Sequence, residues 1–394
     1  MDDMKIDAVD FFYASMPEVT LDADGSQDAL LVRVTADGHQ GWGECEASPL
    51  VSIAAFVAPL SHGVCQPVSA SVLGETLDSP ADIRRISALV RRNSMDLLQA
   101  PHTLSGIEMA LWDLLGKARE QPVWELLGYT ENFSKTPYAS MLFADTAQET
   151  LDCAKQARAR GFRAVKFGWG PFGVGSLEQD IELIQAAREG VGDDCRLLVD
   201  AGQIWEGNVA EAAQRLPVLN DSRVEWLEEP FGGDSYEEYA QLAAQSGTVG
   251  IAGGEASHNT RMAENLIRFG DVRYVQIDSG RIGGLGPSKQ VADFASARGV
   301  IYVNHTFTSH LALSASLQPF AGVRDSSLCE FPSAPRAVAA AIASNPITMD
   351  SDGLVRAPDA PGLGIAVDLD AITPYLRTVT IAVDGVTIYD DATR

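Results

Sequence analysis

Seven ionisable residues recur along the central part of this sequence at intervals of 23 to 34 residues. Each stands at or near the C-terminal end of a short apolar run, and the seven are Lys166, Asp200, Glu228, Glu255, Asp278, His305 and Glu330. One β-strand plus one α-helix has about this length. A single polar residue at a strand end is most simply a solvated group, but seven at equivalent points predict one shared active site.

Three successive members of this set are carboxylates, namely Asp200, Glu228 and Glu255. Carboxylates that converge without a cation repel one another and raise each other's pKa. Hard oxygen ligands in this number suit Mg²⁺, which keeps open positions for water or substrate oxygens. The pattern therefore predicts a magnesium site, and the alternative is three surface acids of an acidic protein.

The next two members, Asp278 and His305, predict a general base. A carboxylate beside a histidine fixes the tautomer of the imidazole and raises its basicity. Lys166 would supply positive charge near a substrate. The alternative for Lys166 is a lysine whose amine extends from the strand end into solvent.

Parallel strands joined by helices must position these residues. Eight apolar runs alternate with amphipathic helical segments, at 138–143, 164–167, 196–200, 224–228, 249–255, 274–278, 301–305 and 328–331. This alternation predicts right-handed crossovers, and eight strands fit a closed α/β barrel better than an open sheet. In one helix Ser176 and Gln179 form a capping-box pattern, and Gly190 is its predicted end.

Three regions are expected along the chain. Residues 1–128 read as a small α+β unit, with a strand at 28–34 and a helix from about Ser105. Residues 135–355 form the barrel. Residues 360–394 return to strand-like alternation and are predicted to pair back with the first unit.

Composition limits the possible partners of the chain. Its 394 residues include 54 Asp and Glu against 29 Lys and Arg, a net charge of −25. Such an acidic surface argues against nucleic acid and anionic membranes. No apolar run approaches the ~20 residues of a membrane span, and the first residues lack a secretory signal pattern. Five scattered cysteines without a CxxC pair support no disulfide framework, so we expect a cytoplasmic protein.

The sequence resembles the enolase superfamily, within its mandelate racemase/muconate lactonizing enzyme family. The matching pieces are VKFG at 165–168, VDAGQ at 199–203, WLEEP at 226–230, GGE at 253–255, QIDSGRIGG at 276–284, NHTF at 304–307 and SGIEMALWDLLGK at 105–117. The resemblance covers nearly the whole chain. It implies a TIM-type (β/α)7β barrel with an α+β capping domain, whose loops near 14–28 and 44–54 cover the active site.

The resemblance also implies the chemistry, which is removal of the proton α to a carboxylate. One Mg²⁺ held by Asp200, Glu228 and Glu255 would bind the substrate carboxylate and stabilise the enediolate. In WLEEP the first acid, rather than Glu229, is the implied ligand. A homo-oligomer, from dimer to octamer, is expected for this family.

Further substrate contacts follow from the same resemblance. Glu330 would hydrogen-bond the substrate carboxylate, and Lys166 would add positive charge. Trp169 and Gln203, in the loops after two barrel strands, are further candidates. The loops at 14–28 and 44–54 contain no Arg or Lys, which favours an acid with one carboxylate over a sugar diacid.

Two positions depart from the family pattern. Relatives often carry K-x-K on the second strand, where this chain has Gly168, and Asn where it has Gly202. Without that second lysine, two-base racemisation loses support, whereas dehydration needs only His305. The alternative is that Lys166 turns toward the substrate and shares the proton transfer as a catalytic residue. We therefore expect a dehydratase that converts an aldonate-type sugar acid to a 2-keto-3-deoxy acid. A racemase, epimerase or cycloisomerase is the alternative.

A nucleotide-binding oxidoreductase is a rival interpretation. Gly168, Gly170 and Gly173 spell G-x-G-x-x-G before a helix, and Asp200 closes the following strand. Pro171 interrupts that loop, and the motif explains none of the later strand-end residues. A catalytically silent relative is a second rival, against which the intact set of strand-end residues argues.

Overall fold

The computed structural model describes residues 4–46 and 48–391. Residues 1–3, residue 47 in the predicted loop at 44–54, and residues 392–394 of the predicted C-terminal region lie outside the described residues. Within the described part, no helix combines the length and the apolar composition that a membrane crossing requires.

An antiparallel three-stranded sheet with helices packed against it forms the first unit. Its elements are β1 (Ile6–Ser15), β2 (Asp28–Ala36), β3 (His39–Cys45), α1 (Pro49–Val57), α2 (Pro80–Asn93), α3 (Ala100–Ala118) and α4 (Val123–Leu126). The predicted strand at 28–34 is confirmed within β2. The helix predicted from Ser105 begins earlier, at Ala100, because Pro101 fits the first helical turn, where a backbone N–H has no partner to lose.

Eight parallel strands form the second unit. They are β4 (Thr136–Leu142), β5 (Ala164–Gly168), β6 (Arg196–Asp200), β7 (Val224–Glu228), β8 (Gly250–Gly253), β9 (Tyr274–Asp278), β10 (Ile301–His305) and β11 (Leu328–Phe331). Neighbours pair in chain order from β4 to β10, and β11 pairs with β4. The predicted barrel is therefore confirmed, and the open sheet that a dinucleotide-binding fold requires is absent among the described strands.

The side chain of Asn304 joins the two ends of this sheet. Its amide nitrogen lies 3.3 Å from the backbone oxygen of Glu330, and its Oδ1 accepts from the Glu330 N–H at 2.9 Å. These bonds connect β10 to β11 at the point where the two strands share no backbone ladder. The buried side-chain amide of Asn304 thus links the first and last strands of the sheet and closes the barrel.

Helices cover the outside of the barrel. They are α5 (Ala147–Ala159), α6 (Leu177–Val191), α7 (Val209–Ala213), α8 (Leu216–Asp221), α9 (Tyr236–Ala243), α10 (Thr260–Phe269), α11 (Leu285–Ser296) and α12 (His310–Leu317). The capping box of α6 forms as predicted, with Ser176 Oγ 3.2 Å from the Gln179 N–H. The predicted end at Gly190 is wrong, because the helix continues to Val191. A Cβ on Gly190 would lie 2.5 Å from Ala154 Cβ, so this glycine allows α5 and α6 to approach.

The last region packs on the first unit. Its elements are α13 (Ala337–Ala341), α14 (Leu369–Ile372), β12 (Thr380–Val383) and β13 (Val386–Asp390). The strands β12 and β13 pair with each other, while the Arg377 N–H donates to the Tyr13 oxygen at 2.8 Å. The Tyr389 ring lies 6.5 Å from that of Phe11. Short 3₁₀ helices span Gly25–Gln27, Val68–Ser71, Gln318–Phe320 and Thr373–Tyr375.

An apolar plug fills the interior of the barrel below its mouth, which is the opening at the carboxyl ends of the strands. It consists of Tyr138, Ala164, Leu198, Trp226, Ala252, Tyr274, Val303 and Leu328, all buried. Side chains on a strand alternate between its two faces, so the next inward position lies two residues further along the strand. The residues that follow the plug at this spacing therefore face the mouth.

Candidate active site

The predicted strand-end residues occupy these inward positions. Lys166, Asp200, Glu228, His305 and Glu330 each lie two residues beyond a plug residue of the same strand. Asp278 lies four residues beyond Tyr274 on β9, and Glu255 follows the end of β8. All except Glu255, which is half-buried, are buried. Ion pairs connect all seven into one continuous network at the mouth.

Lys166 is the centre of one half of this network. Its Nζ lies 2.7 Å from Glu228 Oε1, 3.1 Å from Glu330 Oε1 and 3.3 Å from Asp200 Oδ2. Burial disfavours its charged form, but these carboxylates outweigh burial and hold the pKa of Lys166 well above its usual range. The side chain is therefore an ammonium ion that points into the barrel rather than into solvent.

His305 is the centre of the other half. Its Nδ1 lies 2.7 Å from Asp278 Oδ2, and its Nε2 lies 3.1 Å from Glu255 Oε2. The Gly280 N–H fixes the second oxygen of Asp278 at 2.6 Å. Burial alone would lower the pKa of His305, but Glu255, Glu330 and the bond to Asp278 raise it to about 10. The Asp278 contact makes Nδ1 the protonated nitrogen and directs Nε2 to the mouth.

Arg281 links this network to the first unit. Its guanidinium lies 2.9 Å from Glu46 Oε1 and 3.2 Å from Glu255 Oε1. Burial disfavours the charge, but Glu46 and Glu255 hold the pKa of Arg281 well above its usual range. The sequence predicts no role for Arg281 or Glu46, and the available signal is a cation three residues after Asp278 in a loop at the mouth.

The charge of the network suits a divalent cation. The mouth brings five carboxylates together with three cationic side chains: Asp200, Glu228, Glu255, Asp278 and Glu330 with Lys166, Arg281 and His305. Within residues 4–46 and 48–391, no three His, Cys, Asp or Glu side chains already converge around one point in metal-binding geometry. The carboxylate oxygens are ligands of the type that Mg²⁺ prefers, so the chemistry of the donors fits this ion. Their present arrangement differs, because the ammonium of Lys166 lies between two of the predicted ligands.

Two glycines shape the loops beside Asp200. A Cβ on Gly168 would lie 2.6 Å from Asp200 Cβ, so the end of β5 has no room for a side chain as the residues stand. Gly202 has φ +55°, and a Cβ there would lie 2.6 Å from the ring of Trp169. Trp169 is 44% exposed. The other predicted substrate contact, Gln203, donates its amide N–H to Glu229 Oε2 at 2.8 Å.

Two clefts open beside the network. One lies against Asp278 and His305 and includes Glu44 and Glu46 of the first unit. The other has no charged side chain in its lining, which is Ser26, Ser140, Phe307, Pro332, Ser333, Ala334 and Pro335. Ser140, in the lining of the uncharged cleft, pairs with Lys166 in the register of β4 and β5.

Comparison with protein families identifies both units. Residues 149–371 match the family described as enolase C-terminal domain-like. Residues 14–128 match the mandelate racemase/muconate lactonizing enzyme N-terminal domain. Together the two matches include all seven residues of the network, and Glu46 and Arg281 as well.

Individual relatives agree in fold and differ in reaction. The D-galactarolactone cycloisomerase of Agrobacterium fabrum is 30% identical over 88% of this chain and 90% of its own length. The D-xylonate dehydratase of Haloferax volcanii is 26% identical over 93% and 89%. A structure described as a predicted mandelate racemase from Rhodobacter sphaeroides is 61% identical, with a TM-score of 0.95 over 98% of this chain and 99% of that one. The relatives thus include sugar acid dehydratases, cycloisomerases and a racemase.

Proposed function

The chain belongs to the mandelate racemase/muconate lactonizing enzyme family of the enolase superfamily, and on that premise we propose that it is a Mg²⁺-dependent dehydratase of an aldonate-type sugar acid. The reaction removes the proton α to the carboxylate and eliminates the β-hydroxyl, which gives a 2-keto-3-deoxy acid. The observation that carries this proposal is a single histidine–carboxylate base at a mouth where the end of β5 supplies no second base.

His305 is the proposed base and acid. Asp278 holds Nδ1 in its protonated form, so the nitrogen that takes the α-proton is Nε2, which must first give up its own proton and its contact with Glu255. The electron pair of that C–H bond forms the new double bond as the β-hydroxyl departs, and His305 returns its proton to this hydroxyl, which leaves as water. The enol product then tautomerises to the 2-keto acid.

The end of β5 supports elimination rather than racemisation. Racemisation needs a proton acceptor on each face of the α-carbon, and Gly168 offers none. A longer side chain there would collide with Asp200, as the 2.6 Å approach of a Cβ indicates. Lys166 is the other amine within reach, but its Nζ is held by Glu228 and Glu330 and is assigned to the substrate carboxylate rather than to the α-proton.

Asp200, Glu228 and Glu255 are the proposed ligands of one Mg²⁺, a metal that members of this superfamily use. Bound there, Mg²⁺ would supply Lewis-acid stabilisation of the negative charge that develops on the substrate carboxylate. Lys166 and Glu330 orient that carboxylate from the other side of the mouth, one by its charge and one by a hydrogen bond.

The uncharged cleft supports an acid with one carboxylate. Its serine hydroxyls suit the hydroxyl groups of an aldonate chain, and no cation in its lining would pair with a second carboxylate. The nearest arginine in sequence, Arg336, is already paired with Asp22 and Asp24 of the loop at 14–28. Trp169 and Gln203 remain proposed contacts at the rim.

A cycloisomerase is the second candidate. It is favoured by the 30% identity to the D-galactarolactone cycloisomerase over 88% of this chain. A ring-opening elimination also starts with removal of an α-proton and needs only one base, so the same His305 could serve it. The two reactions differ in the leaving group and not in the base.

A panel of aldonates, aldarates and sugar lactones with Mg²⁺ tests the proposal. Semicarbazide detects the 2-keto product, and EDTA is the control for metal dependence. We expect keto product from at least one aldonate and none after EDTA. Turnover of lactones alone would favour the cycloisomerase, and keto product that persists in EDTA would contradict the metal site.

A further inference from the structure

Each of the three proposed metal ligands has both carboxylate oxygens engaged within the chain. One oxygen of each accepts from a donor that fixes its direction: Asp200 Oδ1 from the Gly202 N–H at 2.9 Å, Glu228 Oε2 from Trp226 Nε1 at 3.0 Å, and Glu255 Oε1 from Arg281 at 3.2 Å. These three oxygens are therefore held in place by donors of the chain itself.

The other oxygen of each ligand contacts a group that the proposed reaction needs elsewhere. Asp200 Oδ2 and Glu228 Oε1 lie 3.3 and 2.7 Å from the Lys166 ammonium. Glu255 Oε2 lies 3.1 Å from His305 Nε2, the nitrogen that would accept the α-proton. The three oxygens that those donors do not hold are thus the ones that contact Lys166 and His305.

We propose that Lys166 and His305 are exchangeable counterions of the metal ligands, displaced toward the substrate when a divalent cation binds the three carboxylates. The inference rests on the proposed function because it takes these carboxylates as the metal site. It adds that the metal also controls access to the base: while His305 Nε2 holds Glu255, it cannot accept a proton from substrate.

The network allows this exchange without leaving a buried charge unpaired. Lys166 keeps Glu330, 3.1 Å away, and His305 keeps Asp278, 2.7 Å away, and neither carboxylate belongs to the ligand set. A buried ion that loses its only partner is strongly destabilised. Because each displaced cation has a second partner, the exchange avoids that penalty.

The ordinary alternative is that Lys166 supports the ligands permanently. In that case its loss would misplace Asp200 and Glu228 and weaken metal binding, as loss of a neighbouring hydrogen-bond donor generally does. A competing cation has the opposite effect, because its loss strengthens metal binding. The sign of the change in affinity therefore distinguishes the two roles.

Calorimetric titration of Mg²⁺ into EDTA-stripped and dialysed protein measures this sign. We expect Lys166→Met to bind Mg²⁺ about tenfold more tightly than wild type, the factor that corresponds to about 1.4 kcal/mol. Trp226→Phe removes a direction-fixing donor and should bind about tenfold more weakly. Lys135→Met, which removes a buried lysine that contacts none of the ligands, is the matched control and should bind as wild type does.

The outcomes separate this inference from the proposed function. If wild type binds no Mg²⁺, both are wrong. If wild type binds and Lys166→Met binds equally or more weakly, only the exchange is wrong. Should Lys166→Met not fold without a divalent cation, Lys166→Gln has the same expected sign, and equal or weaker binding by that variant overturns the exchange in the same way.

Discussion

Two buried lysines lie at opposite ends of the same barrel and differ in every contact. Lys135 precedes β4 at the amino end, where its Nζ donates to the Val323 oxygen at 2.7 Å and lies 4.8 Å from the Phe320 ring centre. Burial lowers its pKa to about 8. Lys166 lies at the carboxyl end among three carboxylates, which hold its pKa well above the usual range despite burial.

The comparison shows what makes the mouth of the barrel different from its amino end, which we call the floor. Burial penalises the charge of both lysines, and only the carboxylates reverse the result for Lys166. The floor therefore tolerates a single cation at a cost in stability, whereas the mouth collects charges of both signs that stabilise one another. Groups of that kind can be rearranged by a substrate or a metal ion, which is what catalysis requires.

The largest expected effect comes from the base at the mouth. His305→Asn should lower kcat by about 10³-fold or more, because general base catalysis is lost. Lys135→Met, at the floor, should leave kcat within about twofold of wild type. The kcat of both variants is measured with the acid identified in the panel. A His305→Asn variant with substantial turnover would show that His305 is not the base and that the mouth is no more important for catalysis than the floor.

A smaller effect is expected at the end of β5. Gly168→Ala places a Cβ 2.6 Å from Asp200 Cβ, so Asp200 must shift. We expect Mg²⁺ affinity to fall about tenfold, as for other changes that misorient a ligand. Gly63→Ala is the matched control because a Cβ at Gly63 meets nothing within 4 Å. Equal affinities in the two variants would mean that Asp200 is no ligand.

At the floor, the expected effect is on stability. Lys135 has a folded-state pKa of about 8, below its usual 10.5, so the unfolded chain binds more protons between these pH values and stability rises with pH there. Lys135→Met should therefore be more stable than wild type by about 2 kcal/mol at pH 7, after allowing for the lost hydrogen bond. Urea unfolding at pH 7 and pH 9.5 measures this difference, which should shrink at the higher pH. A variant less stable than wild type at pH 7 would show that the lysine stabilises the floor.

The smallest effect is expected at the surface above the mouth. Arg336 lies 2.6 Å from Asp24 and 3.2 Å from Asp22, which ties the loop at 14–28 to the barrel through exposed ion pairs. Exposed pairs contribute little and are screened by salt, so Arg336→Gln should raise KM about two- to fivefold, less at high ionic strength. An unchanged KM at low salt would exclude this loop from substrate binding.

Much of the barrel could be predicted because its signals are local. Each predicted apolar run overlaps one strand, and period two on those strands directs Lys166, Asp200 and Glu228 inward. The contact between Asp278 and His305 followed from their places on neighbouring parallel strands. Local sequence patterns are therefore sufficient to predict the barrel and the residues that form the network.

The rest depends on contacts between distant segments. Arg281 joins Glu46 of the first unit to Glu255, a pairing that no local pattern encodes. Gly190 was misread as a helix end because its role, the close approach of α5 to α6, is visible only in three dimensions. The partners of Lys166 were likewise unpredictable, and the homo-oligomer remains a prediction.

Proton NMR of the reaction in D₂O shows whether a single base leads to elimination. Wild-type protein with Mg²⁺ is incubated with the acid identified in the panel, and the C2 proton of the substrate and the C3 protons of the product are followed. We expect the C2 signal to disappear only as 2-keto-3-deoxy acid forms, with no C2 epimer. Deuterium at C2 of an epimerised acid, without keto product, would show a second base and contradict this expectation.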